Sequence, residues 1–136
     1  LPIITQLWSL TKQKRSTIDD RKFGVKIIRP PITFAMEQPE LHLHPRLQAR
    51  LADAFWATIK IAKDRGDDLR LIIETHSESL INRFGHLVSQ ELIPAEQIRV
   101  VMFERTNNEP ITQVRVGTYT NDGFLTNWPL GFFESE

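Results

Sequence analysis

Residues 32–45 (ITFAMEQPELHLHP) constrain the fold of this chain most, because a short apolar run is followed at once by acids and prolines. The run over residues 32–36 is typical of a buried strand. Pro39 removes a backbone donor and fixes its own φ, so the chain must leave the sheet there, and Pro45 suits the first turn of a helix. Glu37 is therefore expected at the carboxyl end of a buried strand, where open α/β sheets place their ligands.

The rest of the chain alternates apolar strands with amphipathic helices. Periodicity predicts helices over residues 1–12, over residues 45–65 and after Ser77 as far as Pro94, and strands over residues 23–28, 32–36, 69–73 and 98–103. Residues 112–118 alternate between apolar and polar side chains, as an antiparallel hairpin at a sheet edge would. This order predicts an α/β fold with a parallel sheet, right-handed crossovers, flanking helices and a C-terminal antiparallel hairpin.

Composition limits the class of protein. The 136 residues are enough for one domain with a modest core, and 17 basic residues balance 17 acidic ones, which gives no support for a broad nucleic-acid-binding surface. The absence of cysteine excludes disulfides and thiolate metal sites within this sequence. No apolar stretch approaches the roughly 18 residues of a membrane span, and residues 1–10 lack the features of a signal peptide. We expect a cytoplasmic protein without a membrane partner.

Two motifs occur in order along the chain. M-E-Q-P-E-L-H-L-H-P at residues 36–45 resembles the Walker B and D-loop segment of ABC-type ATPases, and L-R-L-I-I-E-T-H-S at residues 69–77 resembles their switch-histidine segment. Within that class the motifs are most similar to the bacterial branch related to the SMC, RecF and OLD proteins. Residues 123–136 resemble the tail of one group of predicted bacterial ATPases. The resemblance implies the second half of a P-loop NTPase sheet.

The resemblance implies a role for each acid of the first motif. Glu37 matches the position that holds the nucleotide's Mg²⁺, usually as Asp, and a hard carboxylate ligand of either length suits that ion. The next position normally carries the glutamate that polarises the attacking water, but here it is Gln38, which can orient a water and cannot accept its proton. Glu40 is the nearest other carboxylate. It either replaces the missing general base or shapes the D-loop.

The second motif supplies His76 and Ser77. The resemblance makes His76 the switch histidine, which contacts the γ-phosphate and senses it across a dimer, and an imidazole can donate to a phosphate oxygen. Ser77 beside it is expected at the nucleotide as well. The plainer alternative for both residues is a structural role at the start of the next helix, where Ser77 would act as the N-cap.

None of the six glycines opens a G-x-x-x-x-G-K-[ST] phosphate loop. Given the resemblance, we expect this chain to be the C-terminal fragment of an ATPase and a single incomplete domain. Its expected parts are a helix and loop (1–31), the core from Walker B to the switch histidine (32–105), and a hairpin and tail (106–136). The full-length protein would bind Mg-ATP in a homodimeric nucleotide sandwich, hydrolyse it in DNA maintenance or defence, and contact DNA through other regions. The fragment alone would be inactive.

Two other functions remain open at this stage. The chain could be a non-catalytic domain that keeps the fold and acts by dimerising or binding a partner. It could instead be a metal hydrolase, because Glu40, His42 and His44 form an E-x-H-x-H pattern that on an extended strand would present three zinc ligands on one face. Pro39 and Pro45 disfavour such a strand.

Overall fold

The computed structural model describes residues 30–105 and 111–128, together with residues 5–7, 9 and 12. The chain divides into two compact units, Leu1–His76 and Ser77–Glu136. The division falls inside the segment 32–105, which the sequence analysis treats as one core. The predicted strand over residues 23–28 and the tail from residue 129 lie outside the described residues, whereas residues 5–7, 9 and 12 are helical, within the helix predicted over residues 1–12.

The first unit contains a two-stranded parallel sheet. Strand β1 (Ile32–Glu37) pairs with β2 (Leu69–Glu74) in a register that places Ile32 beside Leu69 and Glu37 beside Glu74. Both strands were predicted, each one residue shorter at its carboxyl end. Among the described residues, this parallel sheet has only these two strands.

Helix α1 (Pro45–Asp64) connects the two strands and packs on β2. Pro45 occupies its first turn, as predicted, and His44 caps it by accepting the Arg46 N–H on Nδ1 at 3.3 Å. Gly66 ends the helix in the left-handed region (φ 75°), where its N–H reaches the Lys63 carbonyl at 2.9 Å. The buried face of α1 carries Leu51, Ala52, Phe55 and Thr58.

Helix α2 (Glu78–Ser89) opens the second unit. The sequence predicted that Pro94 would end it, and that prediction is wrong. The helix stops at Ser89, since Glu91 takes the left-handed conformation (φ 58°). The N–H groups of Leu92 and Ile93 then turn back to the Leu87 carbonyl.

Strand β3 (Val100–Arg105) does not join a parallel sheet within the described residues. It starts two residues later than predicted, because a short 3-10 helix (Ala95–Gln97) precedes it, and it pairs antiparallel with β4 (Thr112–Gly117). The prediction of a third strand buried on both faces is therefore wrong. Met102 is buried, whereas Val101 and Phe103 on the opposite face are 49% and 66% exposed. The hairpin predicted at residues 112–118 is confirmed.

The segment after β4 folds back on α2. The hydroxyl of the buried Tyr119 donates to the Ile81 carbonyl at 2.8 Å. Gly123 (φ 83°) approaches Gly85 of α2 so closely that neither position has room for a Cβ atom. In the part of the chain that is described, no helix is long and apolar enough to span a membrane.

Candidate functional site

Two carboxylates lie side by side at the carboxyl end of the parallel sheet. Glu37 is the last residue of β1 and Glu74 the last residue of β2, and the register makes them neighbours across the sheet. Both side chains are exposed. Alternation along a strand places both on one face, opposite the buried Met36. The sheet thus presents a pair of hard oxygen donors at the edge where open α/β sheets place their ligands.

The chain leaves β1 through a tight turn. The N–H of Gln38 makes one more bond to the sheet, to the Glu74 carbonyl at 2.8 Å, and Gln38 then adopts φ 43°. Its carbonyl accepts the Leu41 N–H at 3.0 Å, and His42 is also left-handed (φ 64°). Non-glycine residues rarely adopt this conformation, so two of them within one turn indicate a strained segment next to the carboxylates.

Glu40 belongs to this turn, and its side chain is buried. Its side chain is only 6% exposed, and its Oε1 accepts the backbone N–H of His76 at 2.8 Å. Its other oxygen, Oε2, is also buried and accepts no hydrogen bond from a described residue. The structure therefore joins two of the predicted site residues that lie 36 positions apart.

His76 follows β2 by two residues, and its side chain is exposed. The bond to Glu40 holds its backbone near the turn after β1. Glu37, Gln38, Glu40 and His76 thus belong to one unit, at one end of one sheet. Their chemical roles stay predictions.

Ser77 is the first residue of the second unit and serves helix α2. Its side chain is buried, and its Oγ accepts the Leu80 N–H at 3.1 Å, which is the N-cap geometry predicted as the structural alternative. A contact between Ser77 and a nucleotide remains a prediction.

The zinc pattern Glu40, His42 and His44 is not gathered into a site. Glu40 is buried beside His76, whereas both histidines are exposed, and His44 is used as the cap of α1. Within residues 30–105 and 111–128, no three His, Cys, Asp or Glu side chains are placed to hold a metal ion together. The hydrolase alternative therefore has no support from the described structure.

Sequence reasoning missed Glu74. The signal was present, because β2 ends in an acid just as β1 does (LRLIIE beside ITFAME). Mg²⁺ bound with a nucleotide keeps several waters and takes one or two carboxylates together with phosphate oxygens. The donor set of Glu37 and Glu74 fits that requirement and needs no third protein ligand.

The chain was also compared with known proteins. The family described as AAA ATPase domain matches residues 1–81, which is more than half of the chain and includes β1, α1, β2 and His76. No curated protein and no solved structure gave a significant match.

Proposed function

This chain belongs to the AAA ATPase domain family, and we propose that it supplies the metal-binding and phosphate-sensing side of an ATP-hydrolysing site. The observation that carries the proposal is the placement of Glu37, Glu74 and His76 at the carboxyl end of a parallel strand pair. Open α/β sheets bind their ligands at this edge. When bound, Mg²⁺ would neutralise charge on the phosphates of ATP.

Each residue then has a definite task. Glu37 would bind the metal ion, and Glu74, its register partner on β2, would hold a metal-bound water. Gln38 would orient the attacking water, whose proton would pass to a phosphate oxygen of ATP because an amide cannot accept it. The exposed imidazole of His76 donates a hydrogen bond to a terminal phosphate oxygen.

The proposed site also needs a part that cradles the phosphates of ATP. The 136 residues contain no G-x-x-x-x-G-K-[ST] loop, and such a loop supplies most of the donors that hold the β- and γ-phosphates. We propose that residues outside this sequence provide it and that two copies of the protein enclose Mg-ATP. The resemblance of the two motifs to the SMC, RecF and OLD branch supports a role in DNA maintenance or defence against foreign DNA.

A second candidate function is supported by one observation. The position that normally carries the catalytic glutamate is Gln38, and the neighbouring Glu40 is buried and bonded to a backbone N–H. A site without an accessible base can bind a nucleotide and fail to turn it over. The alternative is therefore a non-catalytic domain that keeps the fold and acts by dimerisation or by binding a partner.

Steady-state ATP hydrolysis by the full-length protein that carries this sequence decides between them. The ATPase proposal predicts Mg²⁺-dependent turnover that falls by roughly a hundredfold or more in Glu37→Gln, since a neutral amide is a poor ligand for a hard cation. Asp64→Asn is the matched control, because Asp64 is an exposed acid at the far end of α1, and it should hydrolyse ATP like the parent. ATP-dependent dimerisation without turnover would support the non-catalytic domain.

A further inference from the structure

The pairing of β1 and β2 stops in an unusual way. In a regular parallel ladder, a residue bonds through its N–H and its carbonyl to two residues of the neighbouring strand. Here the last backbone bond runs from Gln38 N–H to the Glu74 carbonyl. The next bond of the series would join the N–H of His76 to the carbonyl of Gln38. That carbonyl instead accepts the Leu41 N–H, because Gln38 turns the chain out of the sheet.

The Glu40 carboxylate takes the place of that carbonyl. Its Oε1 accepts the His76 N–H at 2.8 Å, so the segment after β2 stays tied to the segment after β1 although the backbone ladder has ended. A carboxylate that accepts a backbone N–H makes a stronger bond than a neutral carbonyl does. Removing a carboxylate from water is nevertheless costly, so a 6% exposed acid is better explained by this bond than by simple packing.

We infer that Glu40 is a positioning residue, which fixes His76 relative to Glu37 and Gln38, and that it is not the general base. The inference rests on the proposed ATPase function, in which His76 contacts a phosphate. A general base must reach the attacking water. Oε1 is occupied by a backbone N–H, Oε2 is buried, and the residue as a whole is only 6% exposed. A shift of the turn that holds Glu40 would move His76 with it.

Two substitutions separate positioning from base catalysis in the full-length protein. Glu40→Gln removes the base but keeps an oxygen that can accept the His76 N–H. Glu40→Leu removes both the carboxylate and the oxygen that accepts the His76 N–H, while its side chain fills similar space. The readouts are ATP turnover and hydrogen exchange at the His76 amide. Glu96→Gln, an exposed acid in the 3-10 helix, is the control for loss of a carboxylate.

If Glu40 positions His76, Glu40→Gln should keep ATP turnover within about threefold of the parent and keep the His76 amide protected from hydrogen exchange. Glu40→Leu should lose about 10- to 100-fold in turnover and exchange the His76 amide correspondingly faster, as expected for loss of a charge-assisted hydrogen bond. If Glu40→Leu does not fold, Glu40→Asp takes its place. It keeps the charge but is one methylene shorter, so it too should lose both turnover and protection.

The opposite pattern overturns the inference. A Glu40→Gln protein that loses turnover by roughly a hundredfold while its His76 amide stays protected would make Glu40 the base. If the parent hydrolyses no ATP, the proposed function fails, but exchange at His76 still tests the bond. Faster exchange of the His76 amide in Glu40→Leu, but not in Glu40→Gln, would support a positioning role for Glu40. Equal exchange in all variants would exclude that role.

Discussion

Glu37 and Glu74 occupy paired positions at the ends of two parallel strands, so two exposed carboxylates lie on neighbouring strands, and neither forms an ion pair with a described residue. The closest basic side chain along β2 on the same face, Arg70, is bonded to Asp68 at 2.8 Å. Like charges on adjacent strand positions repel. The arrangement costs stability unless a cation binds there, as the proposed function requires.

The first prediction follows from this repulsion. Glu74→Gln should raise the free energy of unfolding by about 0.5 kcal/mol in the absence of divalent cations, since it removes one of two like charges. It should also reduce the stabilisation that Mg²⁺ gives in the presence of ATP. Urea unfolding with EDTA and with Mg-ATP measures both effects. A Glu74→Gln protein that is less stable than the parent in EDTA would show that the two acids do not repel.

The second prediction concerns Gln38. Gln38→Glu places a carboxylate where the attacking water is expected, so turnover should rise by roughly tenfold or more if the native enzyme is limited by proton transfer. Gln and Glu both have a Cβ atom and so have the same backbone cost at φ 43°, and the free energy of unfolding should therefore change little. Single-turnover hydrolysis is the measurement, with Gln38→Met as a control of similar length. Equal rates in the parent and in Gln38→Glu would mean that this position does not face the water.

Prediction from sequence succeeds where the signals are local. Helix α1 was predicted nearly to the residue because its signals are local: Pro45 begins it and Gly66 follows its end. The signals that place Glu37 at the end of β1 and make Ser77 an N-cap are equally local.

What sequence reasoning could not supply is long-range. The bond between Glu40 and His76 joins residues 36 positions apart, and no periodic pattern in the sequence predicts it. The partner of β3 was also misjudged, because a continuous apolar run indicates burial only when other elements cover both faces. Phe103 is 66% exposed, although it ends the apolar run over residues 100–103.

The third prediction tests the packing of the second unit. Replacing a helical glycine by alanine normally stabilises a protein by up to about 1 kcal/mol. Gly85→Ala should do the opposite and cost about 2 kcal/mol, because the new Cβ would meet the Gly123 carbonyl oxygen. Asn82→Ala, an exposed position on the same helix, is the control and should change stability by less than about 0.5 kcal/mol. A stabilised Gly85→Ala protein would disprove the close approach of the loop.

The fourth prediction uses Tyr119. Burial raises the pKa of Tyr119 above its ordinary value, so folding favours the neutral phenol. This contribution is complete below the unfolded-state pKa of about 10 and is lost as pH rises beyond it. Tyr119→Phe should cost about 1 kcal/mol at pH 7 through loss of the bond to the Ile81 carbonyl, and should weaken the loss of stability above pH 10.

The titration itself is measurable. The difference in phenolate absorbance between the parent and Tyr119→Phe reports this ring alone, and it should rise well above pH 10 in the folded protein and near pH 10 in urea. Coincident titrations in the folded and unfolded states would contradict the burial of the hydroxyl.

The central claim is that Glu37 holds the Mg²⁺ of a bound nucleotide. Calorimetric titration of ATP into the full-length protein, with Mg²⁺ and with EDTA, tests it most directly in the parent and in Glu37→Gln. If Glu37 holds the metal, Mg²⁺ should tighten ATP binding by at least about tenfold, or 1.4 kcal/mol, in the parent and by little or nothing in Glu37→Gln. An equal gain from Mg²⁺ in both proteins would contradict the assignment of Glu37 to the metal.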